Sequence, residues 1–109
     1  MSLCTLDSIP DGTARGFALD EDTPILVVRQ GDKAYAYINR CPHVGVQLNW
    51  LPDEFMSLDG AYLQCSLHGA QFRIEDGFCL RGPCLGRFLE PLPVLIEEGR
   101  VMVLRSPAD

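Results

Sequence analysis

Two short runs, Cys41-Pro42-His43 and Cys65-Ser66-Leu67-His68, hold the residues of this 109-residue chain best suited to bind a metal. They contain both of its histidines and two of its five cysteines, and 21 residues (44–64) separate them. One thiolate and one imidazole from each run make a set of four soft and borderline donors. Such a set suits a tetrahedral zinc ion, or an iron–sulfur cluster of mixed ligation. The donor types alone leave both open.

The neighbours of the donors narrow the choice. The first run continues as Val44-Gly45 to Leu48, the second as Gly69-Ala70-Gln71-Phe72, and Gly82-Pro83 follows further on. Cys-x-His before a glycine, Cys-x-x-His-Gly before a phenylalanine, and a later Gly-Pro loop resemble the Rieske [2Fe–2S] family. The likeness spans nearly the whole chain, and the two boxes together are specific where either alone is weak. It implies one [2Fe–2S] cluster with Cys41 and Cys65 on one iron and His43 and His68 on the other. Each box then gives one ligand to each iron, so the cluster ties two loops together. Imidazole donates less charge than thiolate, which favours uptake of an electron relative to an all-cysteine cluster. Gly45 and Gly69 allow a positive backbone φ and a close approach to the cluster, with loop N–H groups turned toward its sulfurs. The resemblance also places His43 and His68 at an exposed tip where electrons enter and leave, and where their outer nitrogens can release protons.

Absences sort the chain within that family. High-potential members carry an extra cysteine in each box, joined by a disulfide; Val46 and Leu67 stand at those positions here. The same members place a serine and a tyrosine after the second box, where this chain has Ala70 and Phe72. Fewer hydroxyl donors stabilise the reduced, more negative cluster less. Rieske centres span roughly −150 to +300 mV, and this pattern puts the chain near the low end, on the order of −150 mV. The chain thus resembles the ferredoxin branch, and the small subunit of assimilatory nitrite reductase is similar. With no further histidine it cannot house the mononuclear iron of a Rieske oxygenase, and it has no glycine-rich dinucleotide fingerprint. It is expected to be no enzyme by itself, but a component passing electrons from a reductase to an oxygenase or similar enzyme. A reading from another class is a zinc-stabilised interaction module without redox function, and iron and sulfide content separates the two.

Composition bounds the partners. The net charge is −6, with 47% hydrophobic and 22% charged residues, ordinary for one globular domain. An acidic chain repels nucleic acid and suits a basic patch on a redox partner. No run approaches the roughly 20 apolar residues that span a bilayer, and Met1-Ser2-Leu3-Cys4 has no basic leader. A soluble cytoplasmic protein is expected, with Cys4, Cys79 and Cys84 reduced. Cys4 is read as packing like a small hydrophobe, and a Cys79–Cys84 disulfide is not expected in such a compartment.

The elements that must position the donors read as short strands with frequent turns, hence an all-β fold. Strands are expected over 4–6, 14–19, 25–28, 33–39, 47–50, 61–64, 71–74 and 78–80. The segment 87–92 returns to the base, and a last hairpin joins 93–97 to 100–104. Asp11-Gly12, Gly31-Asp32, Asp59-Gly60 and Glu98-Gly99 mark turns, and 20–22 is an acidic solvated loop. Tyr35 and Tyr37 share one face by the period of two. Trp50, Phe55 and Met56 are read as packing residues rather than a shield for the metal. The resemblance implies a single domain, 1–109, of small antiparallel sheets, with a cluster-binding subdomain inserted between strands of the base over roughly 40–85.

Overall fold

The computed structural model describes residues 2–20, 23–40, 48, 55–57, 60–65, 69–82 and 85–103. Among these the regular structure is ten strands and one 3-10 turn, with no α-helix. In chain order they are β1 (Ser2–Thr5), the 3-10 turn Leu6–Ser8, β2 (Ala14–Asp20), β3 (Thr23–Gln30) and β4 (Lys33–Ile38). The short strands β5 (Leu63–Gln64), β6 (Gln71–Phe72) and β7 (Cys79–Arg81) follow. Then come β8 (Pro91–Leu92), β9 (Val94–Glu97) and β10 (Arg100–Val103). The all-β expectation is met.

The strands form three antiparallel sheets, ordered β1-β10-β9, β2-β3-β4-β8 and β5-β6-β7. β3 explains how they stack. Its Ile25-Leu26-Val27-Val28 run is unbroken by any polar residue, the pattern of a strand covered on both faces, and all four side chains are fully buried. Their alternation divides the interior. Leu26 and Val28 join Tyr37, Phe55, Leu63, Phe72 and Leu89 in one apolar cluster, against the β5-β6-β7 sheet. Ile25 and Val27 join Leu6, Ile9, Ala36, Ile38, Val101 and Val103 in the other, against the β1-β10-β9 sheet. Each of these four residues adds about 2 kcal/mol on full burial. Tyr35 and Tyr37 lie on the first cluster's side of β4, as their spacing predicts.

β4 and β8 are hydrogen-bonded neighbours, Ala36 opposite Leu92 and Tyr37 opposite Pro91. The 52 residues between them in the chain (39–90) carry both donor boxes and the whole β5-β6-β7 sheet. Several expected boundaries shift, for instance 71–74 to Gln71–Phe72 and 78–80 to Cys79–Arg81, and for two of them the cause is visible. The first strand stops at Thr5, because the Arg29 guanidinium gathers the carbonyls of Leu6 (3.5 Å) and Ile9 (3.0 Å) and bends the chain into the 3-10 turn. β5 starts at Leu63 rather than 61, since Ser57 holds both the Tyr62 carbonyl (2.8 Å to its N–H) and the Tyr62 N–H (3.2 Å to its Oγ) in a tight turn. The expected strand over 47–50 lies outside the described residues except for Leu48, which is fully buried. Residues 51–54, Trp50, Pro83 and Cys84 also lie outside them. Phe55 and Met56 pack in or against the first apolar cluster, as expected of packing residues.

Candidate metal centre

The second box is built on the β5–β6 connection. Leu63 pairs with Phe72 and Gln64 with Gln71, and two main-chain bonds then pinch the loop. The Cys65 N–H donates to the Ala70 carbonyl at 2.8 Å, and the Gly69 N–H donates to the Cys65 carbonyl at 2.9 Å. Gly69 adopts φ +70°, the left-handed conformation a side chain disfavours. A side-chain bond from Gln71 Nε2 to Gln64 Oε1, 3.1 Å long, lies across the base of the loop. Cys65 therefore leaves a paired strand directly into a closed turn, with no exposed surface.

The segment after β7 is pressed against this loop. Gly82 has φ +100°, and a Cβ on it would stand only 2.7 Å from the Ala70 Cα. No side chain fits there, so the Gly-Pro loop begins in direct contact with the second box. The β6–β7 turn behind it is set by Asp76, whose Oδ1 accepts from the Phe78 N–H and from Arg73 Nε, both at 3.0 Å. The Arg73 hydrogen bond is the main reason the Asp76 carboxyl is held below its usual range, with the Phe78 N–H second.

The first box hangs from the end of β4. The Asn39 N–H donates to the Pro24 carbonyl at 2.8 Å, and the Asn39 Oδ1 accepts from the Leu48 N–H, also at 2.8 Å. Asn39 is only 4% exposed.

Of the four expected ligands, Cys65 is described, while Cys41, His43 and His68 lie outside the described residues, as does Gly45. The surroundings of Cys65 fit an iron–sulfur group in donor chemistry. A buried thiol sits in a loop closed by its own main chain, with apolar Leu63, Ala70 and Phe72 in the same cluster. Ala70 and Phe72 are fully buried and bring no hydroxyl. The hydroxyl of Tyr37, in the same cluster, is committed to the Ile74 carbonyl at 2.6 Å. Burial, with the Asp76 carboxylate as second cause, pushes the Tyr37 phenol well above its ordinary range. The buried Cys79 thiol lies 3.1 Å from the Arg81 carbonyl it donates to. The expectation about a Cys79–Cys84 pair falls on Cys84, outside the described residues.

Sequence reasoning overlooked Asn39, Gln64 and Gln71. The signal for Asn39 was present: a polar residue closing the apolar strand Ala-Tyr-Ala-Tyr-Ile, two positions before the expected ligand Cys41.

Comparison with known proteins agrees with this geometry. Residues 1–103 match the model of the Rieske [2Fe–2S] domain. Ferredoxin CarAc of Metapseudomonas resinovorans is 30% identical over 106 residues, covering 94% of this chain and 91% of its own. The 3-phenylpropionate/cinnamic acid dioxygenase ferredoxin subunit of Photorhabdus laumondii is 28% identical over 104 residues, covering 95% and 92%. Among solved structures, a chain in the complex of reduced oxygenase and oxidized ferredoxin in carbazole 1,9a-dioxygenase superposes with a TM-score of 0.80 at 30% identity. It covers 95% of this chain and 100% of its own. This chain belongs to the Rieske [2Fe–2S] domain family, as an electron-carrying ferredoxin with one [2Fe–2S] cluster rather than as a catalyst in its own right.

Proposed function

We propose that this ferredoxin carries single electrons from a flavin-containing reductase to a Rieske-type oxygenase, with Cys41, His43, Cys65 and His68 as its four ligands. Cys41 and Cys65 hold one iron, His43 and His68 the other. Bound there, the cluster supplies one site that is reduced and reoxidised by a single electron. The protein's share is to hold the loops, exclude water from the sulfur side and present a docking face.

The observation that carries this reading is the second box itself. Cys65 is fully buried in a loop pinched by its own main chain, so the thiolate is placed by the fold rather than by a flexible side chain. Docking is supported by the segment after Gly82, where Leu85 and Phe88 remain 65% and 55% exposed. Exposed apolar side chains beside a site, on a chain of net charge −6, suit a partner with an apolar patch ringed by basic groups. The reductase and oxygenase are read from the relatives, which are ferredoxins of oxygenase systems. They do not favour a nitrite reductase subunit, and zinc is set aside with the family assignment. The whole chain, 1–109, acts as one domain whose insertion over roughly 40–85 carries the ligands. No helix among the described residues is long and apolar enough to cross a membrane, and the cytoplasm keeps its remaining thiols reduced.

The test is anaerobic bleaching of the visible absorption. NAD(P)H alone is expected to leave the oxidised protein unchanged, and NAD(P)H with cell extract of the producing organism to bleach it. Reduction by NAD(P)H alone, or no reduction with extract, contradicts the carrier role.

A further inference from the structure

Among the described residues, different bonds tie the ends of the two donor loops. Main-chain bonds close the second, from Cys65 to Ala70 and from Gly69 back to Cys65. A side chain spans the first: the Leu48 N–H donates to Asn39 Oδ1 across the nine-residue separation that contains Cys41 and His43. Both ends of that bond are anchored. Asn39 is fixed by its own N–H on the Pro24 carbonyl and is 4% exposed. Leu48 is fully buried in the apolar cluster that also holds Cys65. A buried N–H left without an acceptor is costly, so this bond holds together the two described ends of the segment that contains Cys41 and His43.

We infer that Asn39 is a positioning residue for the metal centre, which by closing the loop from Asn39 to Leu48 governs how firmly Cys41 and His43 are held. The inference rests on the assignment of those two residues as ligands. Asn39 is not one of the four expected ligands. Its part is that of a residue that orients ligands, the kind whose loss costs roughly 10–100-fold in metal retention.

Four variants of the cluster-loaded protein test it, with iron release to a chelator as the rate and the EPR spectrum of the reduced protein as signature. Asn39→Leu keeps the size and removes the acceptor; it is expected to load, to lose iron about 10–100-fold faster and to broaden the EPR signal. Asn39→Asp keeps the acceptor oxygen and is expected to release iron within a few-fold of the unaltered protein. Should Asn39→Leu yield no folded protein, Asn39→Ser, too short to span to Leu48, is read in the same way. Val27→Ala weakens the other apolar cluster and controls for loss of stability alone. Iron release from Asn39→Leu at the unaltered rate overturns the inference. So does equal release from Asn39→Leu and Asn39→Asp, or from Val27→Ala at a matched loss of melting temperature. His43→Ala tests the ligand assignment separately: unchanged g values there overturn that assignment, and the inference with it.

Discussion

Tyr37 shows how one residue serves the site without taking part in its chemistry. Its ring is 2% exposed and its hydroxyl donates to the Ile74 carbonyl at 2.6 Å. That bond ties the central sheet to the turn after β6, and so to the sheet that carries Cys65. Tyr37→Phe removes the donor and leaves a buried carbonyl unpaired, a loss of about 1 kcal/mol; thermal unfolding should show a melting temperature lower by about 4 °C. The pH dependence has a definite sign. Burial raises the phenol's folded pKa above the roughly 10 of the unfolded chain. The neutral phenol's stabilisation is therefore complete below about pH 10 and declines as pH rises beyond it, because the unfolded chain ionises first. Above pH 10 the gap in stability between the unaltered protein and Tyr37→Phe should narrow. A gap that widens with pH contradicts the buried neutral phenol.

At the scale of elements, the site depends on the seat between the β7–β8 connection and the second box. Ala at position 82 would put a Cβ 2.7 Å from Ala70 Cα and 3.3 Å from Ala70 N, main-chain atoms that no rotamer change can move. It would also hold a side chain at φ +100°. Gly82→Ala should cost about 1–3 kcal/mol and lower iron occupancy, seen in denaturant unfolding and iron analysis. Stability within about 0.5 kcal/mol of the unaltered protein would show that the two loops do not press on each other. Much of this architecture was legible beforehand. The β-branched run at 25–28, the alternation at 33–38 and the turn at Glu98-Gly99 are local signals, and local physics decided them. The 3-10 turn at Leu6–Ser8 and the late start of β5 were not legible. They are set by Arg29 and Ser57 reaching partners that only the folded chain brings near. Gly82 was visible as half of a Gly-Pro loop, but its contact with Ala70, twelve residues back, was not. The donor pattern was the plainest signal of all, since ligand chemistry dictates residue type directly; the main-chain closure of the second loop had no signature, and Asn39 showed only as a polar residue ending an apolar strand.

At the scale of the molecule, the described residues stack three small sheets about two apolar clusters, with β3 shared by both. The sheet of β1, β10 and β9 supports the central one from the side away from Cys65, and the central sheet in turn supports the sheet that bears Cys65. This order lets a chain of 109 residues bury Cys65 completely while Leu85 and Phe88 stay exposed. It also bears on potential. The positions after the second box hold Ala70 and Phe72, both buried and without hydroxyls, and Tyr37 spends its own on Ile74. At these described positions no hydroxyl is free to favour the reduced state. A [2Fe–2S] cluster of mixed cysteine and histidine ligation with a low potential is expected here, and an anaerobic redox titration followed by low-temperature EPR tests that most directly. A rhombic signal with an average g below that of all-cysteine clusters should grow in with a midpoint on the order of −150 mV. A midpoint well above zero, an average g typical of four thiolates, or a protein holding zinc and no labile sulfide would contradict it.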